Sequence, residues 1–511
     1  MAVQQVQGAR GVVATGHALA TDAALAVLQQ GGNAVDASVC AALVLTVVCP
    51  YACTLAGDAY LLIHDPKAGR IFGLNGTGCA PLRADLARFA DGIPRSGPRA
   101  ATVPGLVSAL CEALDRFGSM SFAALVAPAI RLAEEGFAVH PYFARNIEDR
   151  EALLATDPAA AALFLPQGKP LAAGALFVQP ALAKTLRRLA EEGAQSFYEG
   201  ALAQEMASAS LEQGGLLAAA DFAAHRTLWQ DPVSAPFFGH DVWTMPPNSY
   251  GPTLLFQLLA LEQADIAGVA PDDAEFVRLG YAARRAAYKT AARFIGDPTL
   301  CEAPLRRLLA EAIGGAAPAG EIPAEAQDRC TTNVVAIDST GLSVSLIESI
   351  STPFGAGVML GDTGIVLNNR LGGFSTDPAS LNVIAPGKRP AHTLAPCMVT
   401  KGREFFLSLG TPGTVGQTCV VAQILARLLA CGQTPVEAIA APRWSVDFQG
   451  KLIVEDTMAQ TLQQSITDGE PEMRAEKAGW ISFGSLKLAM RDEGGFRGFA
   501  DDRRCATAAA F

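Results

Sequence analysis

Two adjacent threonines, Thr331 and Thr332, open the run TTNVVAID about two thirds of the way along the chain, directly after a loop rich in Ala, Pro and Gly (GGAAPAGEIPAEAQDRC). A side-chain hydroxyl is a poor nucleophile unless a base lies within hydrogen-bond reach. A threonine at a newly made N-terminus carries that base itself. Its α-amine titrates at roughly pH 8, below a lysine, so near neutrality much of it can accept a proton. The event required is scission of the Cys330–Thr331 peptide bond, and a loop before a strand is where scission costs a fold least. The products would be residues 1–330 and 331–511. Thr332 and, more distantly, Cys330 are rival nucleophiles, and each predicts a different mass for the second fragment. Threonine also favours strands in its own right, so on local pattern alone an ordinary strand with a polar start is the commoner reading.

The elements that must position this pair change character along the chain. TDAALAVLQQGGNAVDASVCAALVL reads as two helices separated by Gly31-Gly32, and the apolar run 37–49 is too short to span a bilayer and is expected to be a buried helix. A hairpin is expected with arms Tyr60–His64 and Arg70–Leu74. Residues 106–315 read as mainly helical and amphipathic. From Thr331 the texture becomes strand-led, with NVVAID, LSVSLIESI, GIVLNN and FFLSLG, then a helix in GQTCVVAQILARLLACG and a strand in LIVEDT.

Bulk properties narrow the class. The chain has 511 residues, 50% hydrophobic and 17% charged, which fits one large or two closely packed domains with much buried surface. A net charge of −11 with no basic stripe argues against nucleic acid as a partner, and an anionic substrate would need a local cation to hold it. The 11 cysteines, an odd number without a CxxC pair, read as reduced, mostly buried thiols. The start MAVQQVQGARGVV has no basic segment followed by an apolar core, so a cytoplasmic enzyme without a membrane partner is expected. Dinucleotide, P-loop, HExxH and GxSxG signatures are absent, and the six histidines are scattered, so no metal or organic cofactor is expected.

The run TTNVVAIDSTGLSVSLIESISTPFGAGVMLGDTGIVLNNRLGGFS resembles the small-subunit start of the γ-glutamyltranspeptidase family of N-terminal nucleophile hydrolases. GHALATDAALAVLQQGGNAVDASV, VPGLVSAL, MPPNSYGPTLL, PGKRPAHTLAP, APRW and GFADDRR match further family landmarks in order. The resemblance implies an α+β fold: a four-layer αββα sandwich whose strands come from both halves of one precursor. Residues 1–330 would be the large subunit, and 331–511 the small subunit with its N-terminal nucleophile. A dimer of such processed heterodimers is compatible with this. Processing in the family is autocatalytic: the threonine hydroxyl attacks the carbonyl before it, and water opens the resulting ester.

Residue by residue, the resemblance gives Thr331 as nucleophile and Cys330–Thr331 as the cleavage site. Ser349 stands where the family has a threonine that supports the nucleophile. The Gly413-Thr414 backbone N–H groups would form the oxyanion hole, where a Gly-Gly pair is usual. Asn333 replaces the usual histidine. The pocket departs from γ-glutamyl enzymes. Thr77 stands where their carboxylate-gripping arginine would be, Arg370 and Gly373 replace their Gln and Asp, and His392-Thr393 replaces a serine pair. LNNRLGGFS and GKRPAHT instead resemble a bacterial branch that includes oxamate amidohydrolase. The implied partner is a small amide with a carboxylate, held by Arg370, His392, Thr393 and Ser351. Arg370 could alternatively form a salt bridge with Asp362 or Asp377, and His392 could be a satisfied buried histidine. A glutathione-like γ-glutamyl substrate and an uncleaved, silent homologue are the rival functions.

Overall fold

The computed structural model describes residues 1–314, 330–446, 450–463 and 473–511. The loop expected ahead of the threonines falls at 315–329, outside the described residues. Two seven-stranded antiparallel sheets form the centre. The first runs in the order Val3–Gly8, Gly495–Asp501, Lys487–Asp492, Glu404–Gly410, Cys397–Lys401, His240–Thr244, Val233–Phe237. The second runs Thr507–Ala510, Gly11–Thr15, Cys330–Asp338, Ser343–Ser351, Asp58–Asp65, Arg70–Gly76, Leu228–Gln230. Residues on both sides of the Cys330–Thr331 bond supply strands to both sheets.

Strand alternation sorts side chains into layers. Val334 and Ala336 face the helices Ala18–Gln29, Ala34–Val48 and Phe122–Glu135 in one apolar core, while Val335 and Ile337 pack between the sheets against Val12, Ala489 and Phe496. The first sheet is covered by Gly251–Gln263, Ala274–Ala291, Pro298–Ile313 and Gln417–Leu425. The result is the four-layer sandwich.

The helix Ala34–Val48 is buried at every residue, as its apolar run implies, and among the described residues no helix is long and apolar enough to cross a membrane. Its start is fixed by a reciprocal cap between Asn33 and Asp36. Asp338, at the end of the central strand Cys330–Asp338, accepts a hydrogen bond from Ala34 N at 3.0 Å. That bond ties the helix layer to the strand carrying the threonines.

The stretch from 106 onward is mainly helical, as expected, with the strands Leu228–Gln230, Val233–Phe237 and His240–Thr244 set into it, where aromatic and β-branched residues close an edge of each sheet. One expectation needs correction. GIVLNN is not a strand; only Val366 forms an isolated bridge, with Met359. Asn368 explains this: its side chain accepts from Thr102 N and Arg370 N and donates to the carbonyls of Ala56 and Thr102, replacing ladder bonds.

Two helices have histidine as the N-cap. Nδ1 of His17 accepts from Leu19 N at 3.2 Å, and Nδ1 of His140 accepts from Tyr142 N at 3.1 Å, with the rings 6.1 Å apart. Burial, then the neighbouring His140 charge, lowers the His17 pKa from 6.5 to about 4. The unfolded chain therefore takes up a proton between these values that the folded chain refuses. The stability is fully present above pH 6.5 and is lost as pH falls toward 4. At pH 5 the loss should reach about 2 kcal/mol, and His17→Asn, which caps without titrating, should flatten it in denaturant melts at pH 7 and pH 5.

Candidate active site

Thr331 lies near the start of the strand Cys330–Asp338 and is only 2% exposed. The register with Ser343–Ser351 shifts there: Cys330 pairs with Ser351 and Thr332 with Glu348, so one residue faces two. This bulge moves Ser349 beneath the peptide bond before Thr331. Ser349 Oγ donates to Cys330 O at 2.5 Å. The same oxygen accepts from Ser351 N at 2.8 Å and from Arg370 Nη2 at 2.9 Å. With both acceptor positions filled by donors, the hydroxyl proton can only point at the Cys330 carbonyl.

Arg370 is fully buried, and its Nε lies 3.3 Å from Asp58 Oδ2. Its ion-pair partner is thus Asp58, from the large half, rather than Asp362 or Asp377. Asp58 Oδ1 accepts from Gly78 N at 2.8 Å, and Oδ2 accepts from His392 Nε2 at 3.1 Å. Burial pushes the Asp58 carboxyl up to about 6, against the opposing pull of Arg370, the Gly78 N–H and Arg389. His392 Nδ1 accepts from Leu394 N at 3.3 Å, so both ring nitrogens are engaged within the protein. His392 therefore acts on the site by orienting Asp58. Thr393 Oγ1, by contrast, is buried and has no hydrogen-bond partner among the described residues.

Thr77 donates to Asn75 Oδ1 at 2.7 Å and accepts from Asn248 Nδ2 at 3.1 Å, while Tyr60 OH donates to Asn248 Oδ1 at 2.7 Å. These neutral side chains bond to one another, and Arg389 Nε donates to Thr77 O at 3.0 Å beside them.

Thr331 and Thr332 part ways by strand alternation. Thr332 points toward the helix layer, where its hydroxyl packs on Gly16 so closely that a Cβ there would collide. Thr331 is on the face between the sheets, and Gln417 Nε2 donates to its Oγ1 at 3.4 Å. Asn333 shares that face and abuts Gly410, with both ends of its amide buried and lacking hydrogen-bond partners among the described residues.

Gln417 follows the turn Thr414–Gly416, so the glycine-rich loop comes within one turn of Thr331. Thr414 is held at φ 59, a left-handed conformation that costs a non-glycine residue on the order of 1 kcal/mol or more. Gly416 is obligatory: a Cβ would strike Ser482 O.

Sequence reasoning missed Asp58 and Gln417. An acidic residue heading the apolar run AYLLI was a signal for the first. Gln417 reads as an ordinary helix-opening residue, and only the fold brings it to Thr331.

The arrangement polarises one particular carbonyl, that of Cys330, beside one particular hydroxyl. Ser349→Ala should fold, yet cleave 10²- to 10³-fold more slowly in a gel time course, because the developing oxyanion loses its donor. Ser349→Thr, which keeps the hydroxyl, should restore the rate.

Comparison with known proteins agrees with this geometry. A family model described as Gamma-glutamyltranspeptidase matches residues 20–511. The glutathione hydrolase-like YwrD proenzyme of Bacillus subtilis is 36% identical over 454 residues, covering 86% of each chain. The oxamate amidohydrolase proenzyme of Klebsiella pneumoniae is 34% identical, covering 85% of this chain and 84% of that one. The crystal structure of cephalosporin acylase from Bacillus halodurans superposes with a TM-score of 0.87 at 30% identity, covering 99% of this chain and 97% of that chain. With a serine hydroxyl donating to the carbonyl that precedes Thr331 and similarity running from the first helix to the last strand, the chain belongs to the gamma-glutamyltranspeptidase family of N-terminal nucleophile hydrolases.

Proposed function

We propose that the protein cleaves itself between Cys330 and Thr331 and then works as a threonine amidohydrolase on a small amide that carries a carboxylate, with oxamate as the leading substrate. The observation that carries the cleavage is the 2.5 Å contact from Ser349 Oγ to the Cys330 carbonyl. Thr331 Oγ1 bonds to that carbon, the C–N bond breaks, and the nitrogen takes the proton. Water then hydrolyses the ester, leaving a Cys330 carboxylate and a free Thr331 α-amine. In turnover the amine accepts the Oγ1 proton as Oγ1 attacks the substrate amide, and the resulting ammonium returns it to the departing nitrogen. The Gly413 and Thr414 N–H groups hold the oxyanion. Water releases the acid, which for oxamate gives oxalate and ammonia.

Arg370 supports the choice of substrate as a buried cation whose Nη2 lies 2.9 Å from Ser349 Oγ, with the Thr393 hydroxyl as a spare donor. Ser351, next to Ser349, joins them at the acyl end, and His392 keeps Asp58 turned toward Arg370. The likeness to oxamate amidohydrolase supports the same substrate. A second reading, hydrolysis or transfer of γ-glutamyl groups from glutathione-like substrates, is favoured by the likeness to the YwrD proenzyme. Ammonia release from oxamate, measured beside anilide release from a γ-glutamyl anilide, separates the two. Turnover of the anilide alone would reject oxamate. A persistent single band at 53 kDa would reject both and favour a silent homologue. We also assign the protein to the cytoplasm, because its cysteines are free thiols, most of them buried, and this suits a reducing compartment.

A further inference from the structure

The self-cleaving reading of the site leaves one group beside the nucleophile without a task. Gln417 is 1% exposed and touches Thr331 through only half of its amide, Nε2 on Oγ1 at 3.4 Å. The other half, Oε1, is buried and has no hydrogen-bond partner among the described residues. A buried amide oxygen left unsatisfied is costly, and such atoms in native proteins mark a missing partner. The side chain starts from a fixed point, since Gly416 is pressed against Ser482 O and Ser445 Oγ.

In the uncut chain the Thr331 nitrogen is a peptide N–H. Scission turns it into a primary amine with additional N–H donors, on the carbon next to the one bearing Oγ1. The new donors belong to the residue that Gln417 already contacts, and Gln417 Oε1 has no hydrogen-bond partner among the described residues.

We propose that Gln417 is a catalytic residue of the processed protein, its Oε1 accepting an N–H of the freed Thr331 α-amine while its Nε2 stays on Thr331 Oγ1. This rests on the self-cleaving reading above. One planar amide then spans both ends of the amino alcohol and turns the amine lone pair toward the Oγ1 proton. Gln417 itself neither gains nor loses a proton: the proton passes from Oγ1 to the α-amine as the Oγ1–C bond forms, and from the α-ammonium to the leaving nitrogen as the C–N bond breaks. The 3.4 Å separation is long for a hydrogen bond, as expected of a contact completed only after cleavage.

The test needs no substrate. Full-length wild type, Gln417→Glu and Gln417→Leu are purified, and intact mass shows whether each has cut at 330/331. The Thr331 α-amine is then titrated by competitive acetylation with trace acetic anhydride across pH 5–10, read by mass on the N-terminal peptide of the 331–511 fragment. In Gln417→Glu the carboxylate should hold the ammonium and raise the titration midpoint by about one unit. In Gln417→Leu the acceptor is gone and the midpoint should fall below wild type. A glutamine that does not hold the amine would leave the Gln417→Leu midpoint at the wild-type value, whereas Gln417→Glu reports whether position 417 lies beside the amine at all. An unmoved midpoint in whichever variant folds and cuts overturns the proposal. Wild type that remains one chain fails differently: it removes the self-cleaving reading itself, before Gln417 is at issue.

Discussion

Thr331→Ala is expected to yield a single folded chain of 53 kDa with no amidohydrolase activity. Folding should survive because the Thr331 hydroxyl makes one long contact, to Gln417 at 3.4 Å, while the strand around it is held by Ser343–Ser351 along its length and by Gly11–Thr15 on its other side. Loss of one hydroxyl and one methyl from such a site should cost about 1 kcal/mol. Cleavage should disappear, because Thr332 cannot substitute: its side chain points into the helix layer on Gly16, on the opposite face of the sheet from Gln417. The measurement is a denaturing gel with N-terminal sequencing. Two bands from the alanine variant, with a new start at residue 331, would take the hydroxyl out of the chemistry. A start at residue 332 would reinstate Thr332. Thr331→Ser should still cut, more slowly, since serine lacks the γ-methyl that restricts the rotamer.

Much of this site was legible in the sequence, because its local parts are encoded locally. A β-branched alternating run after an Ala/Pro/Gly loop specifies a strand with a polar start, and Thr331 stands at it. The hairpin Asp58–Asp65 to Arg70–Gly76 and the buried helix Ala34–Val48 follow from pattern and length alone. What failed to read was long-range pairing. Asp58 lies more than 300 residues from Arg370, so spacing gave no means of preferring it over Asp362 or Asp377. The bulge that slides Ser349 under Cys330 is a register event, and register depends on the neighbouring strand. GIVLNN has the composition of a strand, but Asn368 takes over the backbone bonding, and an asparagine side chain does not announce its target. Gln417 became visible only when the two sheets were laid face to face.

Arg370→Ala is expected to have the largest compound effect, because the guanidinium joins two halves of the site. On one side it balances Asp58, which is fully buried, at 3.3 Å. Removing it leaves a carboxylate in the interior with the Gly78 N–H, His392 and the weaker pull of Arg389 to offset it. Breaking a buried pair in this way typically costs about 3–5 kcal/mol. The loss is capped because the Asp58 carboxyl, already pushed up to about 6, can rise further and protonate. On the other side Arg370 donates to Ser349 Oγ at 2.9 Å and so strengthens the hydrogen bond to the Cys330 carbonyl. Cleavage should therefore slow about tenfold, less than for Ser349→Ala, because the hydroxyl remains. The two roles separate in a double variant. Asp58→Asn with Arg370→Ala should recover most of the stability in a denaturant melt, yet still cut slowly and bind an anionic amide poorly. Arg370→Lys should recover charge but not rate, since an ammonium has no fork to reach both Asp58 and Ser349. Parental cleavage in the alanine variant would make Arg370 a counter-ion for Asp58 alone. Unchanged KM for oxamate would show that the substrate carboxylate binds elsewhere, which leaves Thr393 as the donor to change next.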